Sequence, residues 1–291
     1  MIDLHVHTKI TDNSLTAGEV IKLAKEKGIT HLAITDHDTT KGLREAIDIG
    51  NTLGVSIIPG IEISAYDYKR KKRAHILGLS IEPDHPALEH LCAKLVESRN
   101  QASFEMVRRL ISAGYHITWD EVQKYAEGGT GVFKQHIMHA LLDKGYCKSI
   151  YCDLYKNLFR RGSSPETQGL AYIPLEYIDA EAAIRAVREA GGVAVLAHPG
   201  QLNNYDAIDE WAELGLEGIE VFHPSHSKED ILTSLQYAQK HNLIITGGSD
   251  FHGFYGEIPV ELGCQELDAR CIQELLRRKQ NRHSLTGNSQ L

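Results

Sequence analysis

Cysteine is scarce in this chain of 291 residues, and its five copies form neither a CxxC pair nor a disulfide pattern. An odd number of unpaired thiols is typical of reduced cytosolic proteins rather than of small secreted domains. No apolar run is long enough to span a bilayer, and no basic, apolar leader precedes the strand pattern that begins at Ile2. These absences predict a cytoplasmic protein that has no membrane partner.

Positive charge is also in deficit, since the formal net charge at pH 7 is -8. Proteins that follow a long phosphate backbone need a basic field, so this balance argues against a broad nucleic-acid binder. One local segment, YKRKKRAH, contains five consecutive basic residues from Lys69 to Arg73 and ends at His75. Charge runs of this kind are usually solvated hairpin tips, and contact with a substrate is the alternative.

Short apolar segments alternate with amphipathic helical patterns along most of the chain. The first helical pattern opens at Thr16 with a capping box completed by Glu19 and stops at Gly28. Strands that alternate with helices predict an α/β protein with a mainly parallel sheet, either doubly wound or closed into a barrel. The predicted strands are residues 2–6, 31–35, 56–64, 75–80, 193–197, 218–222 and 243–247.

One long interval, residues 84–177, contains helical patterns and no convincing strand. A stretch of this length between two strands is typical of an inserted helical subdomain, which could act as a lid over the strand ends. We therefore expect a discontinuous α/β domain formed by residues 1–83 and 178–281, the insertion between them, and a flexible polar tail at residues 282–291.

Ligand-type side chains lie at the ends of nearly all predicted strands. His5 and His7 are two residues apart in an extended segment, so both imidazoles point to the same side. The carboxyl ends of strands are where α/β proteins form active sites. Imidazoles and carboxylates without cysteine suit zinc, manganese or iron, and their coincidence predicts a multinuclear metal site. The other members are Asp36, His37, Asp38, Glu62, His198, Glu220, His223, His226, Asp250 and His252.

The ordered motifs HVHT, TDHD, an isolated Glu62, HILG, AHP and GSDFH resemble those of the PHP superfamily (polymerase and histidinol phosphatase). The resemblance covers nearly the whole chain and implies a distorted seven-stranded (β/α)7 barrel that binds up to three divalent metal ions. The helical insertion resembles that of the free-standing bacterial branch, which hydrolyses nucleotide phosphates. Manganese is the expected metal, with iron or zinc as alternatives.

The resemblance also implies which residues hold the metals. The first ion would be held by His5, His7, Glu62 and Asp250; the second by Glu62 as a bridge with His75 and His198; the third by Asp12, His37 and His252. Asp36 and Asp38 flank His37 and are expected to fix the orientation of its imidazole. For Asp38, capping of the next helix is an equal alternative.

Catalytic and substrate-binding roles are expected around these ligands. Glu62 and Asp250 are the expected catalytic carboxylates, and His223 or His226 could contact phosphate or donate a proton to the leaving group, with His223 favoured because it lies nearer the strand end. Arg99 resembles a position at which the family presents a basic side chain inward, while a solvated helix face is its alternative reading.

The segment GVFKQHIMHAL departs from the pattern of the nucleotidase branch. That branch carries an Arg-Pro-His stretch that grips the substrate, whereas this chain has Lys134 and Gln135 at the first two positions and retains His136. Lysine is a point charge without the bidentate fork of arginine, so phosphate recognition is expected to differ.

These observations predict a metal-dependent phosphoesterase, because two ions about 3.5–4 Å apart can activate a bridging water and clamp the oxygens of a phosphoryl displacement. The expected substrate is a small nucleotide, either a nucleoside 3',5'-bisphosphate or the 5' end of a short oligonucleotide, and no obligate protein partner is inferred. A sugar phosphate or its cyclic ester is the alternative, and the Lys134–Gln135 departure and the basic segment make it plausible. Amide hydrolysis is a weaker alternative, and an idle metal-binding scaffold would lack ligands that this chain retains.

Overall fold

The computed structural model describes the backbone of residues 1–287 and the side chains of residues 1–280. Residues 288–291 of the predicted tail lie outside the described residues. The strands are β1 (Ile2–Asp3), β2 (His31–Ile34), β3 (Ser56–Asp67), β4 (Lys72–Leu79), β5 (Ile178–Asp179), β6 (Val193–Leu196), β7 (Gly218–Phe222) and β8 (Ile244–Gly247).

Seven of these strands form one barrel-shaped sheet in the order β1-β2-β3-β4-β6-β7-β8, and β5 pairs with the end of β3. Backbone hydrogen bonds from Leu4 N to Gly247 O (3.2 Å) and from Asp250 N to His5 O (2.9 Å) join the two edges of the sheet. The nearly closed barrel confirms the predicted fold. The core between sheet and helices is dominated by branched aliphatic side chains such as Ile61, Ile63 and Ile76.

Strand β4 runs antiparallel to both of its neighbours, β3 and β6. The hairpin between β3 and β4 turns within residues 68–71, where Lys71 has a φ of 56°. Because β4 is reversed, its beginning rather than its end lies at the edge where the parallel strands end. This reversal places His75 beside Glu62 of β3, with His75 Nδ1 2.7 Å from Glu62 Oε1.

Helix α1 follows the sequence pattern closely. The Thr16 hydroxyl accepts from Glu19 N, and the Glu19 carboxylate accepts from Thr16 N, as a capping box requires. None of the described helices combines the length and the apolar character that a membrane crossing requires. The helices are α1 (Ala17–Glu26), α2 (Leu43–Leu53), α3 (Pro86–Ser112), α4 (Trp119–Gln123), α5 (Lys134–Asp143), α6 (Asp153–Phe159), α7 (Ala180–Glu189), α8 (Pro199–Leu202), α9 (Ile208–Leu214), α10 (Lys228–His241) and α11 (Arg270–Gly287).

Helices α3 to α6 lie between β4 and β5 in the chain and share a hydrophobic core that is separate from the barrel core. Met106 and Leu110 of α3 pack there with Ile137 and Leu141 of α5. Tyr255, which follows β8, joins this core from the barrel side. On the basis of this separate core we propose that the insertion is a subdomain of its own.

Helix α11 continues to Gly287 and therefore includes residues 282–287, which the sequence pattern assigned to a flexible tail. The difference has a simple origin, because neither glycine nor proline interrupts the chain between Arg270 and Gly287.

Candidate metal centre and active site

The side chains that the strand-end motifs supply converge at one end of the barrel. Three groups of possible ligand atoms, each within 4.8 Å of one another, contain all of the predicted ligand positions. The groups are His5, His7, Glu62 and Asp250; Glu62, His75 and His198; and His7, Asp12, His37 and His252. The structure thus brings together residues that are as much as 247 positions apart (His5 and His252).

Glu62 lies at the middle of this cluster and is 1% exposed. Its Oε2 lies 3.1 Å from His7 Nε2, and its Oε1 lies 3.0 Å from His198 Nε2. A single buried carboxylate therefore faces two sides of the centre. The other imidazoles within reach of it are His5 (3.3 Å), His37 (3.2 Å) and His75 (2.7 Å).

Three residues at the site have a backbone in the left-handed region, where residues other than glycine are uncommon: Asp38 with φ 57°, His198 with φ 26° and Asp250 with φ 50°. Such conformations cost about 1–3 kcal/mol each and concentrate at functional sites. They occur where the chain leaves a strand and turns sharply at the edge of the barrel.

The protonation of the cluster shows how strongly its charges are coupled. Burial raises the pKa of the Glu62 carboxyl, but His75, His37 and His5 outweigh burial and hold that pKa well below its usual range. Burial lowers the pKa of His7, but hydrogen bonds with Asp250 and Glu62 outweigh it and raise the pKa to about 10. The carboxylates thus require positive charge among them, which protonated imidazoles or divalent cations can supply.

The donor atoms fit a metal centre. His7 Nδ1 and Asp12 Oδ1 are buried, lie 3.7 Å apart and have no hydrogen-bond partner among the described residues. Buried polar atoms are normally paired, and a metal ion between these two would satisfy both. Imidazole nitrogens and carboxylate oxygens are the donors that zinc, manganese and iron accept.

Glu220 in β7 supports the centre from behind, a role that the sequence did not assign to it. Its carboxylate lies 3.1 Å from His5 Nδ1 and accepts from His198 N at 2.8 Å. A carboxylate on one ring nitrogen fixes the tautomer and directs the other nitrogen, here His5 Nε2, toward the metal position. The available signal was an acidic residue inside the otherwise apolar strand GIEVF, fully buried in the structure.

We expect Glu220→Gln to weaken metal binding by about 10- to 100-fold, because the variant loses the anionic partner of His5 while the metal-facing residues remain. The measurement is competition for Mn²⁺ or Zn²⁺ with a chromophoric chelator. Glu213→Gln, an exposed position on α9, is the matched control. Unchanged metal affinity in Glu220→Gln would show that His5 needs no such partner.

Asp36 and Asp38 do not orient His37 as the sequence suggested, since none of their described hydrogen bonds reaches that imidazole. Asp36 accepts from Thr8 N at 2.8 Å and from the hydroxyls of Thr8 and Thr11, both at 2.6 Å. It thereby holds the loop that presents Asp12. The loop after β1, rather than the ring of His37, is what this buried carboxylate organises.

Asp38 is also not a helix cap, because the residue that caps α2 is Gly42. Its carboxylate accepts from Ser64 N at 2.7 Å and from the Arg99 guanidinium at 2.5 Å. Arg99 consequently points inward, with its side chain 12% exposed and its guanidinium over the Phe133 ring at 4.9 Å. The structure therefore contradicts the alternative prediction that Arg99 lies on a solvated helix face.

The two predicted substrate residues at the start of α5 lie in different environments. Lys134 lines a cavity beside the metal centre. His136 is 0% exposed, and its Nδ1 accepts from Phe133 N at 3.0 Å. Burial lowers the pKa of His136 to about 4, so its ring is neutral at neutral pH. The ring therefore secures the first turn of α5 and does not line the described cavities.

His223 and His226 also differ. His223 lines the cavity over the centre; its Nδ1 accepts from Ser225 N at 3.1 Å, and its Nε2 lies 3.5 Å from Asp250 Oδ2. Ser225 Oγ also lies 2.7 Å from His223 Nδ1, so Ser225 engages this nitrogen through both its backbone and its side chain, and Nε2 is left facing Asp250. In His226, Nδ1 lies 2.9 Å from Val221 O and Nε2 accepts from Gly200 N at 3.2 Å, so backbone groups engage both nitrogens and the predicted phosphate contact is not supported.

Two adjoining cavities open over these residues. The first, of about 240 Å³, is lined by ligand-type residues including Asp12, Glu62 and Asp250 and by Tyr151. The second, of about 200 Å³, extends into the helical insertion. The residues that line both are Asp12, His37, Arg73, Gln135 and Tyr155. A ligand at the metal centre could therefore reach from one cavity into the other.

Comparison with known proteins gives consistent results. The family model of the PHP domain matches residues 3–190. The phosphoribosyl 1,2-cyclic phosphate 1,2-diphosphodiesterase of Eggerthella lenta is 42% identical over 88% of this chain and 96% of its own length. The 3',5'-nucleoside bisphosphate phosphatase of Chromobacterium violaceum is 32% identical over 86% of this chain and 87% of its own length. A solved structure from Bifidobacterium adolescentis, described as a metal-dependent phosphoesterase, superposes with a TM-score of 0.83 at 31% identity and covers 95% of this chain and 96% of its own.

Proposed function

This chain belongs to the PHP domain family and is a metal-dependent phosphoesterase; we propose that it hydrolyses a small ribose phosphate. A phosphoribosyl cyclic phosphate is the leading substrate. The observation that carries this proposal is the buried cluster around Glu62 at the base of a small cavity. The substrate class follows the Eggerthella lenta relative, whose similarity extends over nearly its whole length.

The metal ligands are proposed in the sets that the sequence suggested, with manganese as the first metal to test and iron or zinc as alternatives. Divalent ions at these positions would activate water and neutralise the charge that develops on the phosphoryl oxygens. The free state of all five cysteines supports the cytoplasm as the compartment. The three sets are His5, His7, Glu62 and Asp250; Glu62, His75 and His198; and Asp12, His37 and His252.

Side chains of the protein would supply the functions that the metal ions do not. Glu62 and Asp250 hold the imidazoles of the first set in contact with one another. His223 lines the cavity over the centre, and its Nε2 lies on the side of Asp250. We assign to the imidazolium form of His223 the protonation of the leaving group, in which Nε2 gives its proton to the departing oxygen and the ring becomes neutral, while Nδ1 keeps Ser225 Oγ as its partner at 2.7 Å.

The size and lining of the cavities support a small substrate. The two adjoining cavities, of about 240 Å³ and 200 Å³, together lie near the lower end of the range of roughly 300–1,000 Å³ that is typical of pockets for drug-sized ligands. Lys134 and Gln135 stand where the nucleotidase branch has arginine and proline, and both line the second cavity. A changed recognition element next to a small cavity favours a pentose phosphate over a longer oligonucleotide.

A nucleoside 3',5'-bisphosphate is the second candidate, as the sequence motifs suggested and as the Chromobacterium violaceum relative supports. The second cavity is lined by Phe133 and Tyr177, whose rings also carry the guanidinium groups of Arg99 and Arg73, and a base could pack against this aromatic and cationic wall. A short 5'-phosphorylated RNA belongs to the same class and is tested with it.

The test is ester hydrolysis by protein reconstituted with Mn²⁺, followed by ³¹P NMR and by chromatography of the products, because ring opening of a cyclic ester and release of a nucleotide from RNA free no inorganic phosphate. The four substrates are phosphoribosyl 1,2-cyclic phosphate, adenosine 3',5'-bisphosphate, a short 5'-phosphorylated RNA and histidinol phosphate. We expect kcat/KM to be highest for the cyclic phosphate. A higher value for the bisphosphate or the RNA would overturn the leading substrate in favour of the second candidate. Absence of turnover on every phosphate ester, with metal bound, would overturn the proposed function itself.

A further inference from the structure

The cavity beside the metal centre is lined by three basic side chains that come from different parts of the fold. Arg73 comes from β4, Arg99 from α3 and Lys134 from α5. Each positive group lies over an aromatic ring, at 5.0 Å from Tyr177, 4.9 Å from Phe133 and 5.3 Å from Phe159, respectively. The rings hold the cations in place without cancelling their charge.

The three cations differ in whether a carboxylate neutralises them. Arg99 is paired with Asp38. Among the side chains that the structure describes, no carboxylate forms an ion pair with Arg73 or Lys134; the Arg73 guanidinium donates to the neutral acceptor His75 Nε2 at 3.1 Å. Desolvation, followed by the neighbouring charge of Arg73, lowers the pKa of Lys134 to about 8. Arg73 is exposed at the mouth of the cavity and Lys134 is half-buried, so the cost of an unpaired cation falls mainly on Lys134, and an anion in the cavity would offset both this cost and the repulsion between the two cations.

The register of the hairpin explains why Arg73 alone of the basic segment turns toward the cavity. Arg73 and His75 are two residues apart on β4, and Arg73 pairs with Tyr66 as His75 pairs with Ser64, so both point to the face of Glu62. Three of the other four basic residues are engaged on the outer surface: Lys69 with Glu210, Arg70 with Asp67 and Glu210, and Lys72 with Asp206. The fourth, Lys71, is exposed in the turn of the hairpin. Most of the segment is thus the ordinary hairpin surface that its sequence suggested.

We propose that Arg73 and Lys134 form a binding subsite for a second phosphoryl group of the substrate, one that is not hydrolysed while it is held there. This inference rests on the proposed function, in which the reacting phosphoryl group lies at the metal centre. A phosphate monoester carries close to two negative charges at neutral pH and matches the two unneutralised cations. Because Arg73 lines both cavities, the subsite adjoins the metal centre and fits a compact bisphosphorylated pentose or nucleoside.

The experiment compares two substrates that differ only in the second phosphate: ribose 1,2-cyclic phosphate with and without a 5-phosphate. We expect Arg73→Gln and Lys134→Gln each to lower kcat/KM for the 5-phosphorylated ester by about 10- to 100-fold, and for the unphosphorylated ester by less than about threefold. Arg73→Lys and Lys134→Arg should recover part of the loss because they restore the charge. Lys69→Gln, which removes a charge from the outer surface of the same segment, should alter neither substrate.

Two results would overturn the subsite. Equal losses on both substrates would mean that the two cations bind the reacting phosphoryl group, and no loss on either would mean that they are solvated surface groups. A second readout does not depend on turnover: isothermal titration with ribose 5-phosphate should show weaker binding to each Gln variant than to the wild-type holoenzyme.

The failure of the subsite and the failure of the proposed function give different results. If the wild-type enzyme hydrolyses only nucleotides, the pair becomes adenosine 3',5'-bisphosphate and adenosine 3'-monophosphate, and the same comparison decides. If it hydrolyses no phosphate ester, the proposed function has failed, and the ribose 5-phosphate titration alone decides the subsite. Weaker binding by both Gln variants would then support it, and unchanged binding would overturn it.

Discussion

Glu62→Gln is expected to lower kcat/KM by about 10³-fold or more, which corresponds to ~4 kcal/mol of lost transition-state stabilisation. Gln keeps the size of the side chain but removes the negative charge that five imidazoles contact. Because Glu62 belongs to two of the proposed ligand sets, the change should weaken the binding of two metal ions together. The measurements are steady-state kinetics and metal content by mass spectrometry.

The control for this variant is Glu45→Gln, which alters an exposed carboxylate of α2 and should leave activity and metal content unchanged. Circular dichroism of both variants separates loss of metal from loss of fold. If Glu62→Gln retains full activity and its full complement of metal, the proposed bridging role of Glu62 is wrong, and the centre must be held by its imidazoles and the remaining carboxylates.

His223→Gln is expected to lower kcat on an alkyl phosphate ester by about 10²- to 10³-fold, the usual contribution of a general acid. The reason is geometric, since Ser225 holds Nδ1 of His223 and the ring lines the cavity, so that the imidazolium can give its Nε2 proton to the leaving oxygen and return to the neutral form. The loss on p-nitrophenyl phosphate should be much smaller, because nitrophenolate leaves without protonation. The comparison of the two leaving groups isolates proton donation from binding.

His241→Gln is the matched control for this prediction, because His241 lies on α10 and pairs with the exposed Asp209. An equal loss on both leaving groups would contradict proton donation. It would instead favour a role for His223 in holding a ligand, as its proximity to His5 and Glu220 would allow.

Several relations at the site could be derived from sequence because they depend on local geometry. The two-residue period of an extended chain places His5 and His7 on one side, and a capping box identifies the start of α1 from four consecutive residues. The alternation of strands and helices predicted an α/β protein and left a doubly wound sheet and a barrel open, and the resemblance of the ordered motifs to the PHP superfamily implied the seven-stranded barrel. Short-range periodicity and turn chemistry are properties of neighbouring residues, and the sequence contains them directly.

Other relations depend on which distant segments meet. Glu220 acts on His5 across 215 positions, and Asp38 engages Arg99 across 61, so neither pairing has a local signal. His136 occupies the histidine position of the Arg-Pro-His stretch of the nucleotidase branch, yet packing around α5 buries it away from the described cavities. The role of each of these residues depends on the residues that it contacts, and tertiary packing sets those contacts.

The sequence by itself determined the α/β class and the types of donor side chain at the strand ends, because strand period and the alternation of strands with helices are encoded in residue order. Only the tertiary structure decided which charges are neutralised: Arg99 meets Asp38, whereas Arg73 and Lys134 face a cavity without a carboxylate partner among the described side chains. The physical reason is that β3–β4 register and the packing of α3 and α5 set the distances between charges, and electrostatic interactions depend on distance and burial rather than on position in the chain.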